Sequence, residues 1–219
     1  MSEQFEHNEM RKTITPRPHT LTYHHAKHNF SDRFAYLLVM IAKGIAHILF
    51  GHRYGHRAVV LETIAAVPGM VGGMLQHFKA LRLLSDDHGF IKTLLDEAEN
   101  ERVHLLIYSQ IARPNMFERV FILLSQFVFF TVYFLIYLIS PRTAHRAVGY
   151  LEEQAVHSYT EYLEMVEAEP RLNVKAPLLA IEYWGLDGDA KLVDVIRATR
   201  EDEQNHRDVN HTFADRLSR

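Results

Sequence analysis

Two Glu-x-x-His quartets are the residues here whose types and spacing suit chemistry: Glu101-Arg-Val-His104 and Glu203-Gln-Asn-His206. On a helix, i,i+3 spacing puts both side chains on one face, so each quartet is able to grip one metal ion. A chain this rich in glutamate and histidine yields such quartets by chance, so their setting matters more than their number. Each follows, at a distance, a helical stretch with a glutamate on an otherwise apolar face. The first is Glu62 in Val-Val-Leu-Glu-Thr-Ile-Ala-Ala-Val; the second is Glu152, or its neighbour Glu153, in Gly-Tyr-Leu-Glu-Glu-Gln-Ala. The chain order is Glu, ExxH, Glu, ExxH, with gaps of 39 residues from Glu62 to Glu101 and 51 from Glu152 to Glu203.

That order is the ligand pattern of ferritin-like di-iron or di-manganese bundles, one glutamate from each of two helices and one ExxH from each of two others. Four carboxylates offset two divalent cations inside a low-dielectric interior, and two imidazoles complete the set. Hard oxygen donors with only two nitrogens suit iron or manganese better than copper or structural zinc. An unpaired buried glutamate costs several kcal/mol, so four on inward faces need cations or shared protons.

The elements that must position these groups read as helices. From Ser31 onward helical periodicity dominates and no alternating strand runs occur. Helices are expected at about 31–51, 56–84, 87–111, 115–139, 142–168 and 188–217, with a short piece near 177–184. Breaks are expected at Gly51, Gly55, Ser85–Asp86, Pro114, Ser140–Pro141, Pro170 and Gly185–Gly188. Pro68 falls inside the second pattern, where it costs helix stability, and Gly69, Gly72 and Gly73 beside it permit close helix packing.

Two segments are too apolar for an ordinary soluble bundle. Residues 120–140 carry no charge and make about 31 Å of helix, enough to span a bilayer. Residues 34–50 are interrupted only by Lys43 and His47. If the first of these crossed the membrane, Glu62, Glu101 and His104 would be separated from Glu152, Glu203 and His206, and no metal could be shared. Both segments are therefore expected to lie along one leaflet.

Composition narrows the rest. The chain has 219 residues, fifteen histidines, no cysteine and a net charge of -3. Absent cysteine excludes disulfide frameworks, thiolate zinc sites, iron–sulfur clusters and thiol catalysis. Near-neutral charge with no long basic run argues against nucleic acid as a partner. The length fits one domain: a flexible N-terminal arm over 1–30, with His19, His24, His25 and His28 read as polar, and a single helical domain over 31–219. Residues 1–30 contain neither a signal-peptide core nor a transit-peptide composition.

Four blocks, LETIAAVPGMVGGM, LLDEAENERVHL, GYLEEQAVHSYTEYL and REDEQNHRDVNH, occur in that order and resemble the signature blocks of the alternative oxidase family. The likeness runs from about Arg53 to His211. It implies an all-α fold: a ferritin-like four-helix di-iron bundle with two additional apolar membrane-associated helices. It also implies two iron ions held by Glu62, Glu101, His104, Glu152, Glu203 and His206, with Glu152 chosen over Glu153.

By resemblance, Tyr159 is catalytic, a donor of an electron and a proton beside the metals; its seven-residue spacing from Glu152 puts the two on one face. Asn100, His145, Tyr183, Trp184 and Asp202 match a hydrogen-bond network around the ligands, and Arg57, Leu61, Ala155 and Ser158 match positions lining the quinol pocket. Gln154 departs from the family, which usually has glutamate there, and Ser158 stands where some members have threonine. The missing cysteine excludes the thiol activation known for plant members.

The activity implied is that of a membrane-bound ubiquinol:oxygen oxidoreductase reducing O2 to water without proton pumping. Monotopic attachment to the cytoplasmic face of a bacterial inner membrane is expected, as is a homodimer through apolar surface on the second to fourth helices. The rival readings are a di-iron quinone-ring hydroxylase, an iron-storage bundle and a non-enzymatic membrane-associated bundle.

Overall fold

The computed structural model describes residues 21–51 and 53–217. Helix α1 spans Phe30–Phe50, α2 Tyr54–Leu83, α3 Phe90–Ala112, α4 Met116–Ile139, α5 Pro141–Ala168, α6 Leu178–Trp184 and α7 Leu192–Arg216. A 3-10 turn at Pro170–Leu172 joins α5 to the α6 region.

Local chemistry sets the ends. Asn29 Oδ1 accepts from the Asp32 N–H to cap α1. Asn115 and Glu118 exchange side-chain and backbone bonds to cap α4, and Ser140 followed by Pro141 opens α5. Two starts fall later than expected. At α3, His88 and Gly89 take left-handed conformations, and Asp87 Oδ2 caps the Ile91 N–H at 2.6 Å. At α7, Ala176 N–H bonds to Ala190 O and Leu192 N–H to Val174 O, which keeps residues before Leu192 extended. Pro68 interrupts nothing: α2 continues through it.

The four long helices α2, α3, α5 and α7 form the bundle, with α2 packed along α3 and α5 along α7. Glycine makes both approaches close. A Cβ on Gly69 would stand 2.3 Å from the Leu94 carbonyl oxygen, and one on Gly149 would stand 2.4 Å from His211 Nδ1. Val59, Ile107, Tyr108, Tyr159 and Ile196 fill the centre.

The two apolar helices lie on the bundle. At one end of α4, Glu118 meets Arg53 at 2.8 Å and His56 at 3.0 Å beside the start of α2. At the other, the Tyr137 hydroxyl accepts from Gln76 Nε2 near the end of α2. Helix α1 runs beside α5, tied by Arg142 and Arg146 to Asp32 and by Lys43 Nζ donating to Gln154 Oε1 at 2.7 Å. Their outer faces stay bare: Phe34, Leu37, Ile41, Ile45 and Ile48 on α1, and Val120, Leu124, Phe127, Val128 and Leu135 on α4, are all exposed. Among the described residues, three helices are by length and composition apolar enough to cross a membrane, these two and α2, but α2 is largely buried in protein.

The first twenty residues of the expected arm, His19 among them, lie outside the described residues. From Leu21 the chain is laid on α5 and α7. His24 Nδ1 is 2.5 Å from Glu153 Oε2, the His25 N–H donates to Glu153 Oε1, and the His25 ring stacks on His211.

Candidate metal centre

Each bundle helix delivers its acidic or imidazole groups to one buried point. Glu62 comes from α2, Glu101 and His104 from α3, Glu152 from α5, and Glu203 and His206 from α7; all are nine-tenths or more buried. Ligand atoms of Glu62, Glu101, His104 and Glu203 lie within 4.8 Å of one another. His104 Nδ1 is 3.1 Å from Glu62 and 3.3 Å from Glu203. His206 Nδ1 is 2.7 Å from Glu101 and 3.4 Å from Glu203, off the line of a hydrogen bond in both cases.

Both oxygens of Glu101, Glu152 and Glu203, together with His206 Nδ1, are buried without a hydrogen-bond partner. Such a cluster carries an electrostatic debt. Burial, then the charges of Glu101 and Glu203, pushes the Glu62 carboxyl well above its ordinary range. Glu152 is pushed up likewise by burial, Glu203 and Glu101. Burial alone would lower His104, but Glu62 and the surrounding acceptors raise it well above the ordinary value. Burial would also lower His206, yet Glu101 and Glu203 raise it. Without metal, then, the site draws in protons to offset its negative charge, and divalent cations bound to the bare oxygens would replace them. The residues present fit a two-cation carboxylate centre.

Glu152 and Glu153 have different surroundings. Glu153 is engaged by His24, His25 and His211 on the side away from the cluster. Glu152 faces Glu203 and Glu101 with both oxygens free of hydrogen bonds.

The surrounding groups fall into three sets. Asp202 Oδ2 is 3.0 Å from His104 Nε2 and accepts from Asn100 Nδ2 and Trp184 Nε1, each at 2.9 Å. Those bonds outweigh burial and hold the Asp202 carboxyl below its usual range. Tyr183, exposed, accepts a second bond from Asn100. His145 stands apart from this group: its Nδ1 is 3.0 Å from Asn210 Oδ1. Asn210 Nδ2 in turn is 2.9 Å from both oxygens of Glu97 and 3.0 Å from the His206 carbonyl. On the α2–α5 side, the Tyr159 hydroxyl donates to Glu62 Oε1. Burial, then the Glu62 charge, keeps that phenol protonated by raising it well above the ordinary range.

Of the four positions expected to bind quinol, Arg57 and Ser158 meet directly, with Nη2 donating to Oγ at 2.7 Å and to Glu161 at 3.1 Å. Leu61 adjoins Glu62 in sequence and Ala155 is buried on α5. Arg57 Nε is buried without a hydrogen-bond partner.

Sequence reasoning missed Glu97, Asn210 and Tyr108. Glu97 is fully buried, which raises its carboxyl to about 7. Its place four residues before Glu101, one turn up the same face of α3, was the available signal. Nothing local marks Asn210, whose side-chain partners His145 and Glu97 lie on other helices, or Tyr108 with its bond to Thr199.

An all-helical fold enclosing a buried carboxylate–histidine cluster contributed by four helices defines the class: a di-iron-type carboxylate bundle. The chain belongs to the alternative oxidase family, whose profile matches residues 17–215. It is 52% identical over 195 residues to a mitochondrial ubiquinol oxidase of Mangifera indica, covering 89% of this chain and 61% of that protein. To ubiquinol oxidase 1, mitochondrial, of Nicotiana tabacum it is 53% identical, covering 89% of this chain and 55% of that one. To the mitochondrial ubiquinol oxidase of Batrachochytrium dendrobatidis it is 53% identical over 189 residues, covering 86% and 60%. The chain thus spans only 55% to 61% of the length of these three relatives.

Proposed function

We propose that the protein is a ubiquinol oxidase that reduces O2 to water at a di-iron centre. Two quinols are oxidised and two waters formed per O2. The carrying observation is the set of buried, unpartnered oxygens of Glu101, Glu152 and Glu203, converging with Glu62, His104 and His206 from four helices. Two iron ions held by these six residues would supply the redox chemistry that moves electrons from quinol to dioxygen.

The chain's own residues do the remainder. Asp202 holds the His104 ring by its Nε2 side and leaves Nδ1 facing the cluster. Arg57 and Ser158 present a donor and a hydroxyl to a quinol oxygen at the α2–α5 edge, with Leu61 and Ala155 as apolar walls. Tyr159 keeps its phenolic proton on the bond to Glu62, placed to release proton and electron together.

The exposed apolar faces of α1 and α4 are read as the membrane contact. Because both ends of α4 are tied to the bundle, the helix lies in one leaflet, where quinol dissolves. The membrane is read as a bacterial inner membrane bound from its cytoplasmic face, and protease access in oriented vesicles tests the side. Exposed Met70, Met74, Phe78 and Leu81 on α2, with Leu95 on α3, are read as a homodimer surface.

The test is cyanide-resistant, quinol-dependent O2 uptake by the purified iron-loaded protein, with the product analysed. Water with unmodified quinone is expected. A hydroxylated ring would favour the hydroxylase reading, and iron uptake without quinol oxidation would favour storage; either result sinks the proposal.

A further inference from the structure

Four tyrosines form a continuous file from the cluster to the surface. The Tyr159 ring is 5.4 Å from Tyr108, Tyr108 is 6.5 Å from Tyr162, and Tyr162 stacks on Tyr54 at 5.7 Å. Tyr159, Tyr108 and Tyr162 are buried; Tyr54, at the start of α2, is half-buried. Nothing in the proposed oxidation needs the last three. Apolar packing alone would be served by phenylalanine, with no phenol to bury.

We propose that Tyr108, Tyr162 and Tyr54 form a hole-transfer chain that drains a stranded oxidising equivalent from Tyr159 to the protein surface. It rests on the oxidase reading, in which O2 reduction begun without enough quinol leaves an oxidised metal centre as the oxidant. Electron tunnelling falls off exponentially with distance, so relays in near contact replace one slow step by several fast ones. Phenols are among the few side chains oxidisable enough to serve.

The step balances. Tyr159 loses one electron to the oxidant while its proton stays on the hydrogen bond to Glu62. An electron then passes inward from Tyr54 through Tyr162 and Tyr108, and Tyr159 recovers its proton from that bond. Tyr54, now one electron short, releases its phenolic proton to Glu161, with which it is hydrogen-bonded. A soluble one-electron reductant of the thiol or ascorbate class restores Tyr54 from solvent. Only charge travels between the rings, and each proton moves along one hydrogen bond.

The experiment compares the wild-type holoenzyme with Tyr108→Phe and Tyr162→Phe, which keep the aromatic ring and replace none of the six proposed ligands. Iron-loaded protein is exposed to O2 with limiting quinol and a spin trap, and adducts are mapped by peptide mass spectrometry. Adducts on Tyr54 are expected in the wild type. In both variants they should fall severalfold, with oxidation moving to peptides around Tyr159. The initial quinol oxidation rate should hold while the turnovers completed before inactivation fall severalfold.

Unchanged Tyr54 adducts in both variants overturn the proposal. So does a loss of protection seen only in Tyr183→Phe, because Trp184 and Tyr183 provide another aromatic exit beside His104. A metal-free arm separates this inference from the oxidase reading. A ruthenium polypyridyl photo-oxidant should oxidise Tyr54 and, through the chain, buried Tyr159. In the two variants Tyr54 should still be oxidised while Tyr159 is spared. If wild type and variants behave alike, the chain does not conduct; absent quinol oxidation with an intact photochemical result faults only the oxidase reading.

Discussion

Asp202 Oδ2 lies 3.0 Å from His104 Nε2, and the same oxygen accepts from Trp184 and Asn100. An ionised carboxylate fixed by two other donors places the imidazole proton on Nε2 and leaves the Nδ1 lone pair for the cluster. Asp202→Asn removes the charge and permits the opposite tautomer. Iron affinity, measured by competition with a chelator, is expected to fall about 10- to 100-fold while the fold is retained. Unchanged affinity would show that packing alone orients the ring.

Glu152 makes the opposite kind of prediction, because it is buried with no hydrogen bond and faces like charges. In metal-free protein, Glu152→Gln removes a group that is costly to bury, so apo stability is expected to rise by about 1 kcal/mol or more. The added stability that iron confers on the wild type should shrink at the same time, since ligand stabilisation follows affinity. Thermal melts with and without ferrous iron read both signs. A variant less stable in both states would contradict this account of the site.

His145 predicts a pH dependence. Burial lowers it to about 4 even though the bond to Asn210 raises it. Its ordinary value is near 6.5, so the unfolded chain binds the proton first and stability falls as pH drops from about 6.5 toward 4. For metal-free protein this titration costs about 2 kcal/mol between pH 8 and pH 5. Urea melts across that range should show the loss, and His145→Gln should remove it. Parallel curves for the two proteins would assign the pH dependence elsewhere.

Gly69 sets the distance between the helices that carry Glu62 and Glu101. A methyl group there meets the Leu94 carbonyl at 2.3 Å, a backbone atom that cannot swing aside. Gly69→Ala is expected to cost about 1 to 3 kcal/mol of stability and to weaken iron binding by spreading α2 from α3. Gly44, with nothing within 4 Å of an added Cβ, is the control: Gly44→Ala should be neutral or mildly stabilising. Calorimetry on both variants decides it.

Phe127 and Leu124 test the membrane face. Both are well exposed on α4, so Leu124→Glu with Phe127→Glu should leave stability within about 0.5 kcal/mol. Co-sedimentation with phospholipid vesicles should drop severalfold, because charge replaces the apolar area that drives interfacial binding. Retained binding would move the contact to another face.

Most of the helices and the cluster were legible in advance because their signals are local. The i,i+3 quartets, the lone Glu62 on an apolar face and the breaks at Pro114 and Ser140–Pro141 each need only a few neighbouring residues. The start of α7 erred because a long-range contact intervenes, Leu192 being held back by pairing with residues 174–176, while that of α3 erred through the local left-handed turn at His88 and Gly89. The histidines of the arm read as plain polar residues, yet His24 and His25 meet Glu153 more than a hundred residues away.

The sequence by itself determined which side chains share a helical face, hence the donor types and their order along the chain. Only the tertiary structure decided which of two adjacent glutamates turns to the cluster, that Asn210 joins Glu97 to His145, and that Tyr108 bridges Tyr159 to Tyr162. The physical reason is that helical periodicity is written at intervals of three and four residues. Contacts between helices depend on crossing geometry and on close approaches such as Gly69 and Gly149, which leave no constant spacing in the chain.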